Sequence, residues 1–469
     1  MSFVDYIIIA IYMIAMLVIG YIAKGKIHTM DDFILGGKRF NKFALVGTIM
    51  ATMVGSGMTM GAVGNVYANG IAGTMVWIYG GFALGLVALG FLCKKIRATG
   101  ARSLAETVST AFGREARLAS ALVVVAYAVS LVAINIAGLR TIIIYIFGNS
   151  LSIPVATALA ACISIAYTAM GGFFAVVWTD VAQLGIMVIG VFLIGPIIGV
   201  NMAGGVDVIT SAYTAGGMSF TDPLAGGISA GMVGIALSYF LAVPGDPTMP
   251  QRVLSAKDDG TAKFSFIVSG GFAIYFAVAI LFIGGSIFVL MPGLENSDAA
   301  LPLFVLQYYP PVLKGITIAG IVAAIMSSFD SFLILATTHI MYDIGSVINP
   351  NVSEDKIKKA LPIMTIVLGA LGVIVALFIQ SLLGYLSMVF SIIGSALVPA
   401  LIAALYFKDK ASKTGVVGSI ILGTVVPAYL FLTKGYDVFL GDPLFIGLFA
   451  SVGFLIVGSL IFRDKKAAA

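Results

Sequence analysis

Runs of about twenty apolar residues, cut by short polar loops and by glycine and proline, recur from one end of this chain to the other. A helix needs about 20 apolar residues to cross a bilayer core, and on that measure the runs number about thirteen. They lie near residues 3–23, 43–68, 72–93, 116–147, 152–170, 175–200, 228–246, 262–291, 311–343, 360–380, 382–407, 414–433 and 441–462. Of the 469 residues 60% are hydrophobic and 10% charged, where a soluble domain carries about 25% charged residues. Water cannot cover such a surface, so the sequence predicts an all-α polytopic membrane protein with no separate soluble domain. The first run is long enough to span and has neither a basic leader nor a small-residue cleavage site, which reads as a helix rather than a removable signal. Cys93 and Cys162 sit in apolar surroundings and offer neither metal spacing nor a disulfide framework.

Charge fixes an expected topology. The net charge of +5 would suggest nucleic acid in a soluble protein, but here the basic residues fall in short loops, which is the positive-inside pattern. With the N-terminus outside, Lys24, Lys26, Lys38, Arg39 and Lys42 share the first inner loop, and Lys94, Lys95, Arg97, Arg102, Arg114 and Arg117 the second. Arg252, Lys257 and Lys263, then Lys356, Lys358 and Lys359, then Lys408, Lys410 and Lys413, and finally Arg463, Lys465 and Lys466 also fall inside. Lys314 and Lys434 fall outside, and Arg140 lies within a span. The expected arrangement is N-terminus out and C-terminus in.

Two runs are poor continuous helices. The second carries Gly47, Gly55, Gly57, Gly61 and Gly64, and the seventh closes on Pro244, Pro247 and Pro250. Small residues permit close helix packing; interrupted helices also free carbonyls that coordinate a cation at mid-membrane. The two runs are five apart in order, as an inverted repeat of five plus five helices would place them. Charges inside a bilayer are costly and mark function. Asp180 shares a helix face with Gln183, and Asp330 sits among Ser327, Ser328 and Ser331, a set of oxygens suited to a hard cation. Asp246, between Gly245 and Pro247, either caps a turn or faces a cavity and selects a positive centre. Trp77 is read as a cation–π wall or as an interface anchor. Arg140 reads as snorkelling and His339 as a satisfied polar contact, and neither His339 nor His28 has a partner spacing for catalysis. No nucleophile, phosphate loop or metalloenzyme motif appears, so neither an enzyme nor an ATP-driven pump is expected.

Four motifs in order carry a resemblance: ILGGKRFNKF before the glycine-rich run, YTAMGGFFAVVWTDVAQ at 167–183, PQRVLSAKD at 250–258 and AAIMSSFDS at 323–331. Together they resemble the sodium:solute symporter family over essentially the whole chain. The resemblance implies a leucine-transporter type of fold, with two inverted five-helix repeats preceded by one helix and followed by two. On this chain that divides a single membrane domain into 1–42, 43–200, 201–407 and 408–469. It implies a sodium site on the carbonyls of Ala51, Val54 and Ala324 and the hydroxyls of Ser327 and Ser328. A second site, for sodium or a proton, would use Asp180 with Ser327, Asp330 and Ser331; a serine is usual where this chain has Asp330. Substrate positions carried over are Met53, Met58, Trp77, Tyr239 and Asp246. Sugar-transporting relatives place glutamine and glutamate where Met58 and Trp77 stand, and sialic-acid transporters use an arginine that AVSLVAINIAG lacks. The expectation is a sodium-coupled symporter in the plasma (inner) membrane, a monomer, importing an amino acid or amine. The alternatives are a small monocarboxylate or vitamin-like acid as solute, or a proton as the coupling ion. A channel would need a continuous polar pore, and a sensor a signalling domain.

Overall fold

A computed structural model describes residues 1–24, 29–70, 74–148, 150–168, 172–225, 227–438 and 441–462. Lys26, His28, Arg463, Lys465 and Lys466 lie outside these residues. The helices run α1 (Phe3–Lys24), α2 (Met30–Leu35), α3 (Lys42–Met53), α4 (Ala62–Asn69), α5 (Thr74–Ala98), α6 (Leu104–Ile146), α7 (Ile153–Thr168), α8 (Phe173–Met187), α9 (Ile194–Ala203) and α10 (Val206–Ala215). They continue as α11 (Ala230–Gly245), α12 (Thr248–Ser255), α13 (Asp259–Leu290), α14 (Ala300–Tyr308), α15 (Leu313–Thr338), α16 (Gly345–Ile348), α17 (Glu354–Ala376), α18 (Leu382–Tyr406), α19 (Lys413–Lys434) and α20 (Pro443–Ile461). Among the described residues the extended structure is a single bridge between Phe40 and Ala256.

The polar loops set the helix starts. Asn41, Ser103, Ser412 and Asp442 each accept a hydrogen bond from a backbone N–H of the turn they open, which satisfies donors that a helix start leaves unpaired. Among the described residues ten helices, some running through a π-turn, are long and apolar enough to cross a membrane, and the pair Lys42–Met53 and Gly57–Asn69, bent by 66°, makes eleven. Ile153–Cys162 and Ala230–Gly245 are apolar but shorter, so the thirteen spans expected from the sequence are met only if both of these also cross.

Burial ranks the helices. The segment Leu313–Ile348, which contains α15, buries 94% of its apolar window, whereas α1 and α20 bury 22%. The first is therefore the central post and the others face lipid. Asp5 joins centre to edge: its Oδ1 accepts from the amides of Val312 (2.9 Å) and Gly315 (3.1 Å) at the start of α15, where helix-terminal N–H groups favour an anion.

Candidate functional site

The site forms where α3 stops. The helix ends at Val54, whose N–H reaches back only to the Ala51 carbonyl, and helical structure resumes as a π-turn at Gly57–Gly61 leading into α4. Two glycines make this break compact. A Cβ on Gly55 would lie 2.7 Å from Ser328 Oγ, and one on Gly138 would lie 2.3 Å from the Ser56 Cβ, so neither α15 nor α6 could approach as closely with a side chain there. From α6, Asn135 Oδ1 accepts from the Ser56 amide (3.0 Å), and Ser56 Oγ donates to the Ile134 carbonyl (2.9 Å). The sequence reading passed over Asn135, whose signal was a lone amide within a long apolar run.

Opposite the break, α15 presents its serines. Ser327 Oγ donates to the carbonyls of Ala51 and Ala324, both at 2.9 Å. Ser328 Oγ donates to the Thr52 carbonyl at 2.8 Å and approaches Ala324 O at 3.4 Å. Hydroxyls and carbonyls of α3 and α15 thus lie within hydrogen-bond distance of one another in a fully buried place. Oxygens of this kind suit a hard cation, and the hydroxyls can turn their lone pairs toward one.

One turn further along, the structure separates residues that the sequence grouped. Ser331 and Asp180 meet, but around the side chain of Arg252. That arginine, counted above with the inner-loop cations, is fully buried. Its Nη2 donates to Thr52 Oγ1, to Ser331 Oγ (2.8 Å) and to Asp180 Oδ2 (3.4 Å), and its Nε to Thr48 Oγ1 (3.1 Å). Thr48 Oγ1 donates to Asp180 Oδ2 at 2.5 Å. The guanidinium therefore stands among the oxygens expected to hold a second cation. Asp180 Oδ1 is buried and accepts no hydrogen bond among the described residues. Asp330 turns away from this group toward α7, where its Oδ1 accepts from the Thr168 hydroxyl. Thr48, Thr52 and Arg252 are thus functional candidates that sequence reasoning missed.

The second interruption completes the site. The chain leaves α11 at Gly245, Asp246 is extended (φ −70°, ψ 111°), and α12 follows, buried along its whole length. Asp246 caps this turn and also lies in a cavity wall. Its Oδ1 accepts from the Thr248 amide (2.9 Å) and hydroxyl (2.8 Å), and the residue also lines a central cavity with Met53, Met58, Asn135, Ser328 and Phe390. The cavity measures about 20 Å³, room for about one water molecule, so admitting a solute requires the helices to part. Beyond it, next to Asn65, Ser297 and Tyr436, lies a vestibule of about 310 Å³. Gly57 and Gly61 pack against Leu386 and Leu383 of α18 between the two.

Two substrate positions carried over by resemblance fall elsewhere. Trp77 is half-buried on α5 and does not line the cavity; two residues on, Tyr79 donates to the Met58 carbonyl, and Phe82 lines the cavity wall. Tyr239 bonds Ser387 Oγ at 3.0 Å and meets Phe390 edge-on at 5.2 Å, so it backs the wall rather than forming it. Arg140 does not snorkel: its guanidinium donates to the carbonyls of Ala376 (2.9 Å) and Ile379 (3.5 Å) at the end of α17.

A helical membrane protein with two interrupted helices meeting at a buried polar centre is built as a secondary transporter. The model of the sodium:solute symporter family matches residues 33–423, and the chain belongs to that family; it is a transporter and not an enzyme, with sodium as the coupling ion. It is 26% identical to the sodium/proline symporter of Haemophilus influenzae, over 97% of this chain and 94% of that protein. It is 27% identical to the high-affinity choline transporter 1 of Drosophila melanogaster, over 89% of this chain and 69% of that one. Its fold is similar to that of a Na+-coupled sialic acid symporter in a substrate-bound outward-open state, with a TM-score of 0.82 at 23% identity and 99% coverage of both chains.

Proposed function

We propose that this protein imports a small solute with a positive nitrogen, an amino acid or an amine, together with sodium, by alternating access. The observation that carries the solute class is Asp246, an acidic side chain in the lining of a cavity otherwise walled by uncharged ones. Arg252 is close enough to act on Asp246 through space but pairs with Asp180, so a solute ammonium would give the buried carboxylate a direct partner. Sodium/proline symporters and a choline transporter among the relatives carry solutes with such a nitrogen. A sodium/pantothenate symporter, 24% identical, keeps a vitamin-like acid as the second reading of the solute.

Sodium is assigned to the Ala51, Val54 and Ala324 carbonyls with the Ser327 and Ser328 hydroxyls, where it bridges the two repeats, 43–200 and 201–407. Bound there, it holds the outward-facing arrangement ready for solute. One charge crossing 100 mV contributes about 2.3 kcal/mol before any concentration gradient is added. Gly57 and Gly61 against α18 form the outer gate, and Arg252 with Asp180 the inner one. The chain works as a monomer in the plasma (inner) membrane with its N-terminus outside and C-terminus inside. The buried, unbonded Oδ1 of Asp180 supports a cation or proton there during the cycle, and Asp330, held by Thr168, is the second candidate.

The test is thermal unfolding of the purified protein in sodium with a panel of amino acids, amines, carboxylates and sugars, since a ligand of the folded state raises its melting temperature. An amino acid or amine is expected to give the largest rise, and Asp246→Asn to weaken it by about tenfold to a hundredfold in affinity, the 1.5–3 kcal/mol of a charge-assisted bond. A carboxylate or sugar as the best ligand, or binding untouched by Asp246→Asn, sinks the assignment.

A further inference from the structure

A groove of about 580 Å³ opens on the outer wall where α3, α8 and α13 meet. Its lining is Lys42, Phe43, Val46 and Gly47 from α3, Val181 to Ile189 along α8 and its π-turn continuation, and Phe264 and Phe272 from α13. On the middle element, Val181, Leu184, Gly185, Val188 and Ile189 recur at helical spacing as one stripe. Glycines make the slot: around Gly185 a Cβ would meet nothing within 4 Å, while at Gly47 it would come within 2.6 Å of Val181, so α3 and α8 touch on the groove floor. Phe43 is 69% exposed and Ile189 53%. In a bilayer these surfaces are covered by lipid, not water.

The groove has one charged end. Lys42 stands at the first turn of α3, with its ammonium 4.5 Å from the ring centre of Phe264, and among the described residues it forms no ion pair. From there the apolar stripe runs inward. Val181 to Ile189 covers about 12 Å at 1.5 Å per residue, most of the ~15 Å that one leaflet contributes to the hydrocarbon core. A chain-length slot with a cation at its interfacial end matches one ligand, a lipid whose headgroup is an anion and whose tail lies flat along the protein. We propose that this groove seats an acyl chain of an anionic phospholipid whose phosphate is held by Lys42. The lipid would lie directly against α3, which carries Ala51 and Val54, and against α8, which carries Asp180. Bilayer composition then acts on the helices that bear the proposed sodium site and Asp180.

The experiment reconstitutes the full chain into phosphatidylcholine vesicles containing a trace of phosphatidylglycerol or phosphatidylcholine with a photoactivatable tail, and maps the cross-linked peptides. Phosphatidylglycerol should label residues 43–47, 181–189 and 264–272 severalfold more than phosphatidylcholine. Lys42→Gln should cut that labelling about fivefold, the share of one lysine at a membrane surface, and Lys42→Arg should restore it. Gly185→Leu, which fills open space rather than displacing neighbours, should block labelling by both lipids. Equal labelling by the two lipids, or labelling indifferent to Lys42→Gln, overturns the proposal; all three variants should keep the native melting temperature.

Discussion

Removing both hydroxyls, with Ser327→Ala and Ser328→Ala together, is expected to reduce specific binding of radioactive sodium to the purified protein at least a hundredfold, a loss of about 3 kcal/mol. The two side chains contact the Ala51 and Thr52 carbonyls across the α3–α15 interface at 2.9 and 2.8 Å, and with the Thr52–Ser331 hydroxyl pair (2.9 Å) they tie the central post to the broken helix. The same change takes the hydroxyl donor from the buried Thr52 carbonyl, at about 1–3 kcal/mol, and lowers stability by a separate route. The two effects are read apart. The melting temperature in potassium reports the packing, and the additional rise on replacing potassium with sodium reports the site. A double variant that keeps its sodium-specific rise would remove these serines from the coupling site.

A second large effect is expected at the buried pair. Arg252 and Asp180 are each fully enclosed, and removing one partner of such a pair leaves an uncompensated charge at a cost of about 3–5 kcal/mol. Arg252→Ala strands Asp180 with the hydroxyls of Thr48 and Thr52. Asp180→Ala strands a guanidinium against Thr48, Thr52, Ser331 and the Thr248 carbonyl. Each single variant should melt well below the native protein, and the double variant Asp180→Ala with Arg252→Ala should lose much less than the sum of the two, because the two sites are coupled. Strictly additive losses would mean that the pair is not the contact that matters there.

Much of this architecture is legible in the sequence because single residues dictate it. Gly55 and Gly57 stop a helix, Gly245 and Pro247 stop another, and the adjacent serines of α15 mark its polar face. What was not legible depends on angles and partners. Trp77 and Tyr79 are two residues apart on α5, so they point about 200° apart, and an apolar helix gives no signal as to which of the two faces the cavity. Ser331 and Asp330 diverge for the same reason, one toward α3 and the other toward Thr168. Arg252 deceived because the positive-inside pattern counts every arginine near a span end as a surface charge, whereas α12 tucks this one beneath Asp180. The short helices α7 and α11 fall below the usual spanning length, so counting runs of apolar residues and counting helices give different totals.

In the proposed cycle, inward sodium flow drives solute uptake through the Ser327 and Ser328 site. It is tested most directly in vesicles containing the purified chain, measuring accumulation of the best-binding panel compound under an imposed sodium gradient and, separately, under a proton gradient in sodium-free medium. Accumulation with sodium, and none with protons alone, is the predicted result. Equal accumulation on the proton gradient without sodium would contradict it and move the coupling chemistry to Asp180 and Asp330.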